Sequence, residues 1–275
     1  MWVFIWDSAP SKIFVWDTEV SKVFVGDTKV RPNIINFATQ WPAPDGFHVP
    51  LTTEWQAVRS IRVALGGGGS AWTNFWIALK LPFTGYRADS TAGFYSQGSR
   101  GRYWSSSRYD ANYAYRMEIR PSDITATNSS TRASGSSVRC FKNDPTVPTS
   151  SWVKLYWTSI ESWWIFWNST DWLISLSSDW TTWITIADKN LGATTVWNSG
   201  DTLSEANCGY YYQRWNNYGF PFTWTITNQS TTQVDASAYW PWNYYSSDTF
   251  IKYSWRWDST DNWNLWWWED GNVPV

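Results

Sequence analysis

One histidine, two cysteines and few charges leave little of the usual equipment for catalysis or metal binding. His48, the only histidine, stands in the turn DGFHVP and reads as a structural hydrogen-bonding residue, so neither a Ser-His-Asp triad nor a His-rich metal site is expected. Cys140 and Cys208 are too few for a disulfide framework or a zinc site and lack C-x-x-C spacing, which leaves one disulfide or two free thiols open. Net charge is −2 and the calculated isoelectric point 5.4, which disfavours nucleic acid and anionic membrane surfaces as partners. No apolar run approaches the roughly 18 residues of a membrane span, and Asp7 cuts the opening MWVFIW too early for a signal-peptide core. GGGGS (66–70) is not followed by Lys-Ser/Thr, so phosphate cradling is weak there. The acidic stretch with Asp258, Asp261, Asn262, Glu269 and Asp270 has no EF-hand spacing and reads as a solvated loop. No cofactor or metal is expected.

What the chain does have is Ser, Thr and Asn in abundance, with charged residues at only 16%. That balance fits an extracellular, loop-rich β protein better than a helical cytosolic enzyme. Tryptophan is the anomaly: 27 copies, nineteen of them after residue 145.

Residues 3–32 repeat every ten positions: VFIWDSAPSK, IFVWDTEVSK, VFVGDTKVRP. Each unit reads as a strand followed by a polar turn, so 1–33 is expected to be an N-terminal β-repeat. Its fourth column holds Trp6, Trp16 and Gly26, each just before an aspartate. A position that takes glycine for its free backbone is an odd place for an indole.

TTEWQAVRSIRVAL (52–65) spaces Trp55, Val58, Ile61, Arg62 and Leu65 for a helix, with Thr52 or Thr53 as N-cap. Short aromatic segments follow, separated by Gly, Ser and Asn, and predict a turn-rich sheet to residue 143. NDPTVPTSS, with two prolines, predicts a linker over 144–151, and 152–275 a second β-rich module. There Asp171-Trp172, Asp179-Trp180 and Asn262-Trp263 occupy the place of the Asp-Gly and Asn-Gly pairs that mark hairpins. Our hypothesis is that many of these codons are UGA, read as Trp here and as glycine in the source; UGG at Trp16, Trp180, Trp215 and Trp267 would sink it.

PAPDGFHVPLTTEW (42–55), LPFTGYR (81–87), FYSQGSRGRYWSSS (94–107), AYRMEI (114–119) and SVRCFKN (137–143) together resemble the C-terminal half of the FISUMP major-paralogous-domain family. TWITIADKNLGATT (182–195), YYYQRWNNYGFP (210–221) and NLWWWED (264–270) resemble the N-terminal half of another copy, where the family has Asn-Leu-Trp-Gly-Gly at the last motif. The resemblance implies an α+β fold of the C-type-lectin and formylglycine-generating-enzyme class, with short antiparallel strands, few helices and long loops. It also implies a variable protein of a diversity-generating retroelement, with diversified positions near the Val138-Arg139-Cys140 end. Family members often carry a cysteine before the Pro-x-Gly turn that would pair with Cys140; Ala43 stands there.

Segment 100–136 is rich in Tyr, Arg, Ser, Asn, Asp and Thr, the types that give adaptable binding surfaces. Period-2 alternation in YAYRMEIR puts Tyr115, Met117 and Ile119 on one face and Arg116, Glu118 and Arg120 on the other. The expected contacts are Arg102, Tyr103, Arg108, Tyr109, Asp110, Tyr113, Arg116 and Glu118, on a framework of Trp104, Met117, Ile119 and Val138. The expectation is a non-enzymatic ligand-binding and display protein, outside the cell or on its surface, for a protein or carbohydrate ligand; the rival is a structural repeat of an adhesin. A formylglycine-generating-type enzyme is a distant third. With an extracellular composition and no secretion signal, the chain is expected to be a piece of a longer one.

Overall fold

In the computed structural model the described residues are 23–25, 28–30, 43–44, 46–64, 75–110, 112–156, 164–214, 216–232 and 246–253. The chain divides into a unit over residues 1–39 and a unit over residues 40–275. In the first, β1 (Val23–Val25) and β2 (Thr28–Val30) pair antiparallel, Val25 opposite Thr28, with only Gly26 and Asp27 between them in sequence. This is the third decapeptide repeat; the first two lie outside the described residues.

The second unit is built mostly from antiparallel sheets with few helices. Its six-stranded sheet has the order β11-β12-β13-β14-β10-β3, made of β3 (Phe47–His48), β10 (Phe141–Lys142), β11 (Val153–Tyr156), β12 (Trp164–Asn168), β13 (Leu173–Ser177) and β14 (Trp183–Ala187). A four-stranded sheet joins β15 (Tyr212–Gln213), β9 (Gly135–Ser136), β4 (Tyr86–Arg87) and β5 (Phe94–Tyr95). The longest strands, β6 (Gly101–Arg108), β7 (Tyr113–Arg120) and β8 (Asp123–Thr131), form a three-stranded meander. A short parallel pair, β16 (Gln229–Ser230) and β17 (Phe250–Ile251), completes the set.

Helix α1 (Thr52–Ala64) forms where the apolar spacing predicts it, and Trp55, Val58 and Ile61 are buried. Each such side chain contributes roughly 1.5–3 kcal/mol on burial. Its start differs by a residue. Thr52 lies inside the helix, its N–H and hydroxyl held by Ser107 and Ser105, while Glu54 accepts the Leu51 N–H at 2.7 Å. That is the reciprocal half of a capping box.

The division into modules at 143 and 152 is corrected by the core. One apolar cluster holds Trp55, Val58, Tyr103, Met117, Ile119 and Phe141 together with Ile165, Ile174, Leu176 and Ile186. Phe141 pairs with Ile186, and Ser136 with Tyr212, so both sheets cross the expected boundary. Nor is 144–151 a free linker. The Thr146 N–H donates to Thr185 Oγ1, and Thr146 O accepts from Ser175. Proline-rich composition marked a segment that avoids regular pairing, but the backbone of Thr146 within it is tied to side chains of β13 and β14.

Buried arginines stitch the loops to this frame. Arg139, fully buried, donates to Asn190 Oδ1 (3.0 Å), to Ala187 O (2.8 Å) and to Lys80 O (2.5 Å). Arg87 donates to Ala92 O (2.7 Å), Pro221 O (2.5 Å) and Trp224 O (2.5 Å), with its guanidinium 3.9 Å from the Phe94 ring centre. Gly85, two residues before it, has φ 71°, and a Cβ there would lie 2.2 Å from Tyr95 O. No other residue fits that approach.

Candidate functional site

The meander β6-β7-β8 gives the site its two faces. Alternation along β7 sends Met117 and Ile119 into the core with Tyr103 and Ile124, and sends Ala114, Arg116, Glu118 and Arg120 the other way. Register places Arg102 of β6 opposite Glu118 and Trp104 opposite Arg116, so Arg102 and Arg116 share the Glu118 face. A register shift between Trp104 and Arg108 in β6, and another between Arg116 and Glu118 against β8, twist the ladder at this point.

The eight expected contact residues do not form one surface. Tyr103 is a correction: it is fully buried, and its hydroxyl donates to Pro82 O at 2.6 Å. Its place on the inward face of β6, beside Met117, makes it framework. Arg116 and Glu118 are also buried, at 4% and 2% exposure, so they support a surface and do not form one. Asp110 shapes the β6–β7 turn, its Oδ1 accepting the Asn112 and Tyr113 N–H groups at 2.7 and 2.8 Å. Arg108 is half-buried near that turn. Of the expected framework, Trp104, Met117, Ile119 and Val138 are all buried, and the Trp104 indole N–H donates to Tyr212 O at 2.6 Å.

Tyr109 and Tyr113 remain exposed, at 54% and 39%. Tyr109 stands edge-on to Tyr113 with centroids 6.4 Å apart and to Tyr115 at 5.1 Å. Arg132 fixes the loop beneath them, donating to Asp110 O and, at 3.4 Å, to Tyr113 O. The result is an aromatic rim on a turn whose backbone has defined partners.

The other face gathers charge. Glu118 receives Arg102 Nε at 3.0 Å, Arg116 Nη1 at 2.6 Å and Arg120 Nη2 at 2.6 Å, and Arg100 Nη1 lies 3.6 Å away. Burial alone would raise the Glu118 carboxyl, but Arg116, Arg120 and Arg102 outweigh it and hold it at about 2. Arg116 is pushed down to about 10, first by burial and next by Arg102. The Arg102 guanidinium also lies 3.4 Å from the Tyr86 ring centre, and Tyr86 stacks on Tyr95 at 5.7 Å. Arg100, Arg120, Tyr86 and Tyr95 lie outside the set the sequence pointed to. Alternation in SRGR and YRMEIR does place the arginines on common faces; which arginine meets which partner depends on the bulged register, which periodicity does not encode.

Cys140 and Cys208 are both free and buried, and burial pushes each thiol up to about 12. Ala43 and Cys140 belong to one apolar cluster. His48 bridges Asn143 (2.8 Å) and Glu54 (2.8 Å). Burial would lower its pKa, but the Glu54 carboxylate and Asn143 outweigh burial and raise it above the ordinary value. Both ring nitrogens face oxygen acceptors, which suits the imidazolium form. Among the described residues no three His, Cys, Asp or Glu side chains gather as metal ligands would, and the acidic stretch 258–270 lies outside them. No helix among them is long and apolar enough to cross a membrane. No protein-family model, no curated protein and no solved structure matches this chain.

Proposed function

We propose that the unit over residues 40–275 is a non-enzymatic ligand-binding module on a C-type-lectin-like scaffold of the FISUMP type. It works outside the cell, presenting segment 100–136 to a protein or carbohydrate ligand. The observation that carries this reading is the rim of exposed Tyr109 and Tyr113, with half-buried Tyr115 against Tyr109, on a turn held by Asp110 and Arg132. Large rings with two side-chain torsions offer contact area at low entropic cost, and a pinned turn lowers the cost further. Diversification of 100–136 would be tolerated best at such positions, since Tyr109 and Tyr113 can change without disturbing the core.

The test is an array of glycans and peptides probed with the parent and with a Tyr109→Ala/Tyr113→Ala variant. A ligand that the variant loses by about tenfold or more, at unchanged thermal stability, supports the reading. No ligand, or one indifferent to both tyrosines, overturns it. Substitutions concentrated in codons 100–136 among natural copies of the gene are expected as well.

One observation favours the adhesin repeat instead. Segments 42–55, 81–87, 114–119 and 137–143, which resemble the end of one module, and 182–195, which resembles the start of another, contribute to one apolar cluster. Tandem copies in the surrounding reading frame would favour that role.

A further inference from the structure

The charge on the outer face of β6 and β7 does not balance. Four guanidinium groups, Arg100, Arg102, Arg116 and Arg120, converge on the single carboxylate of Glu118. Asp123, which faces Arg120 across the ladder, directs its carboxylate to the Ile124 N–H (2.7 Å) and the Thr125 hydroxyl (3.4 Å). With Glu118 and Asp123 both counted, two positive charges stand in excess. Arg102 meets Glu118 through Nε, and its guanidinium lies over the Tyr86 ring with the side chain 12% exposed. The side chains of Arg100 and Arg120 are 40% and 45% exposed, so the excess charge is open to a solute. Glu118 spreads the four forks and stops them from splaying apart, which is the pre-organisation an anion site needs.

Beside the arginines lies an aromatic platform. Tyr86 is sandwiched between the Arg102 guanidinium and the Tyr95 ring, and Tyr95 is 46% exposed. Arg100 follows Tyr95 by five residues through a turn in which the Arg100 N–H donates to Ser96 O at 3.0 Å.

We propose that this face binds the oxyanion of a sulfate or phosphate ester, with Arg100 and Arg120 as its exposed forks and Arg102 beside Glu118. The inference rests on the ligand-binding reading above and gives it a ligand class, at a patch separate in sequence from Tyr109 and Tyr113.

The test is titration calorimetry of the full chain with glucose 6-sulfate, glucose 6-phosphate, glucose and sodium sulfate. At least one ester and sodium sulfate are expected to bind, and glucose, which carries no oxyanion, is expected not to. Affinity should fall as sodium chloride rises from about 20 to about 200 mM. Arg120→Ala is expected to weaken the ester by about tenfold or more. Arg59→Ala removes the same charge from helix α1 and should change nothing. Preference for one ester over the other identifies the source of the oxyanion and upholds the site. Absence of binding by both esters and by sulfate overturns it, as does equal weakening by Arg120→Ala and Arg59→Ala. If the anion site fails while an array ligand still depends on Tyr109 and Tyr113, the display reading stands without it.

Discussion

Trp180 connects β13 to β14 with φ 63°, and Trp172 connects β12 to β13 with φ 60°. Both follow an aspartate, and both occupy the left-handed region where a Cβ costs roughly 1–2 kcal/mol. Trp180 is 50% exposed and touches Trp183 and Phe166 edge-on, at centroid distances of 5.8 and 6.2 Å. Removing the ring uncovers on the order of 100 Å² of apolar surface, about 2.5 kcal/mol. Glycine relieves the backbone strain but frees the unfolded chain, which takes back roughly 0.4–1 kcal/mol. Trp180→Gly should therefore cost only about 1–2 kcal/mol, less than half of what a buried Trp truncation costs. The comparison that isolates the backbone is glycine against alanine, because both delete the ring. At 172 and 180 glycine should be the more stable by about 1 kcal/mol, roughly fivefold in the folding constant. At Trp183, inside β14, the order should reverse by about 0.5–1 kcal/mol. Urea unfolding of the six variants measures all three differences. Alanine equal to or better than glycine at 172 and 180 would refute the strain argument, and with it the structural support for UGA codons at these turns.

His48 titrates above its ordinary value in the fold, so the stability it contributes is fully present below about pH 6.5 and fades as pH rises through the folded value. The difference between parent and His48→Gln in urea should shrink by about 1 kcal/mol or less from pH 6 to pH 9, since the pair is partly exposed; a constant difference refutes it. Glu118, held at about 2, stabilises above its ordinary 4.5 and loses that contribution as pH falls from 4.5 toward 2. Glu118→Gln should cost roughly 3–5 kcal/mol at pH 7, and a cost under about 1 kcal/mol would mean that the arginines do not need it. Cys140 and Cys208 should both resist a disulfide reagent at pH 8 until the protein unfolds, because burial keeps the thiols protonated; fast modification of either in the folded state is the contrary result.

Helix α1 and the β13–β14 hairpin were legible because their signals are local: spacing of Trp55, Val58 and Ile61 in one, alternation around a turn in the other. The alternation of Arg116, Glu118 and Arg120 was legible too, since a strand's faces need no knowledge of its partner. Tyr103 failed for the complementary reason. Placing it needs the register that sets it opposite Met117, and nothing local in GRYWSSS says which face turns inward. The module boundary failed because proline content reports local pairing, whereas unity of the core depends on Phe141 meeting Ile186 across 45 positions of sequence. Trp263 and Trp266 to Trp268 lie outside the described residues, so the tripled indoles remain a question for the codons.

The arginines explain how so loop-rich a unit can hold its segments together. Strands of two residues supply few ladder bonds, and β4, β9 and β15 are each that short. Arg87, Arg139 and Arg214 take over part of the task by donating to carbonyls of Pro221, Ala187 and Ser106, each in a segment distant in sequence. Guanidinium suits this role because its donors radiate in a fixed plane and it is more weakly hydrated than ammonium. Burial pushes Arg87 down to about 10, still above neutral pH, so the clamp stays charged in use. The Glu118 face uses the same residue type differently. There the forks of Arg100, Arg102, Arg116 and Arg120 meet one carboxylate, so a side chain that elsewhere fastens backbone to backbone is gathered on a shared charge instead.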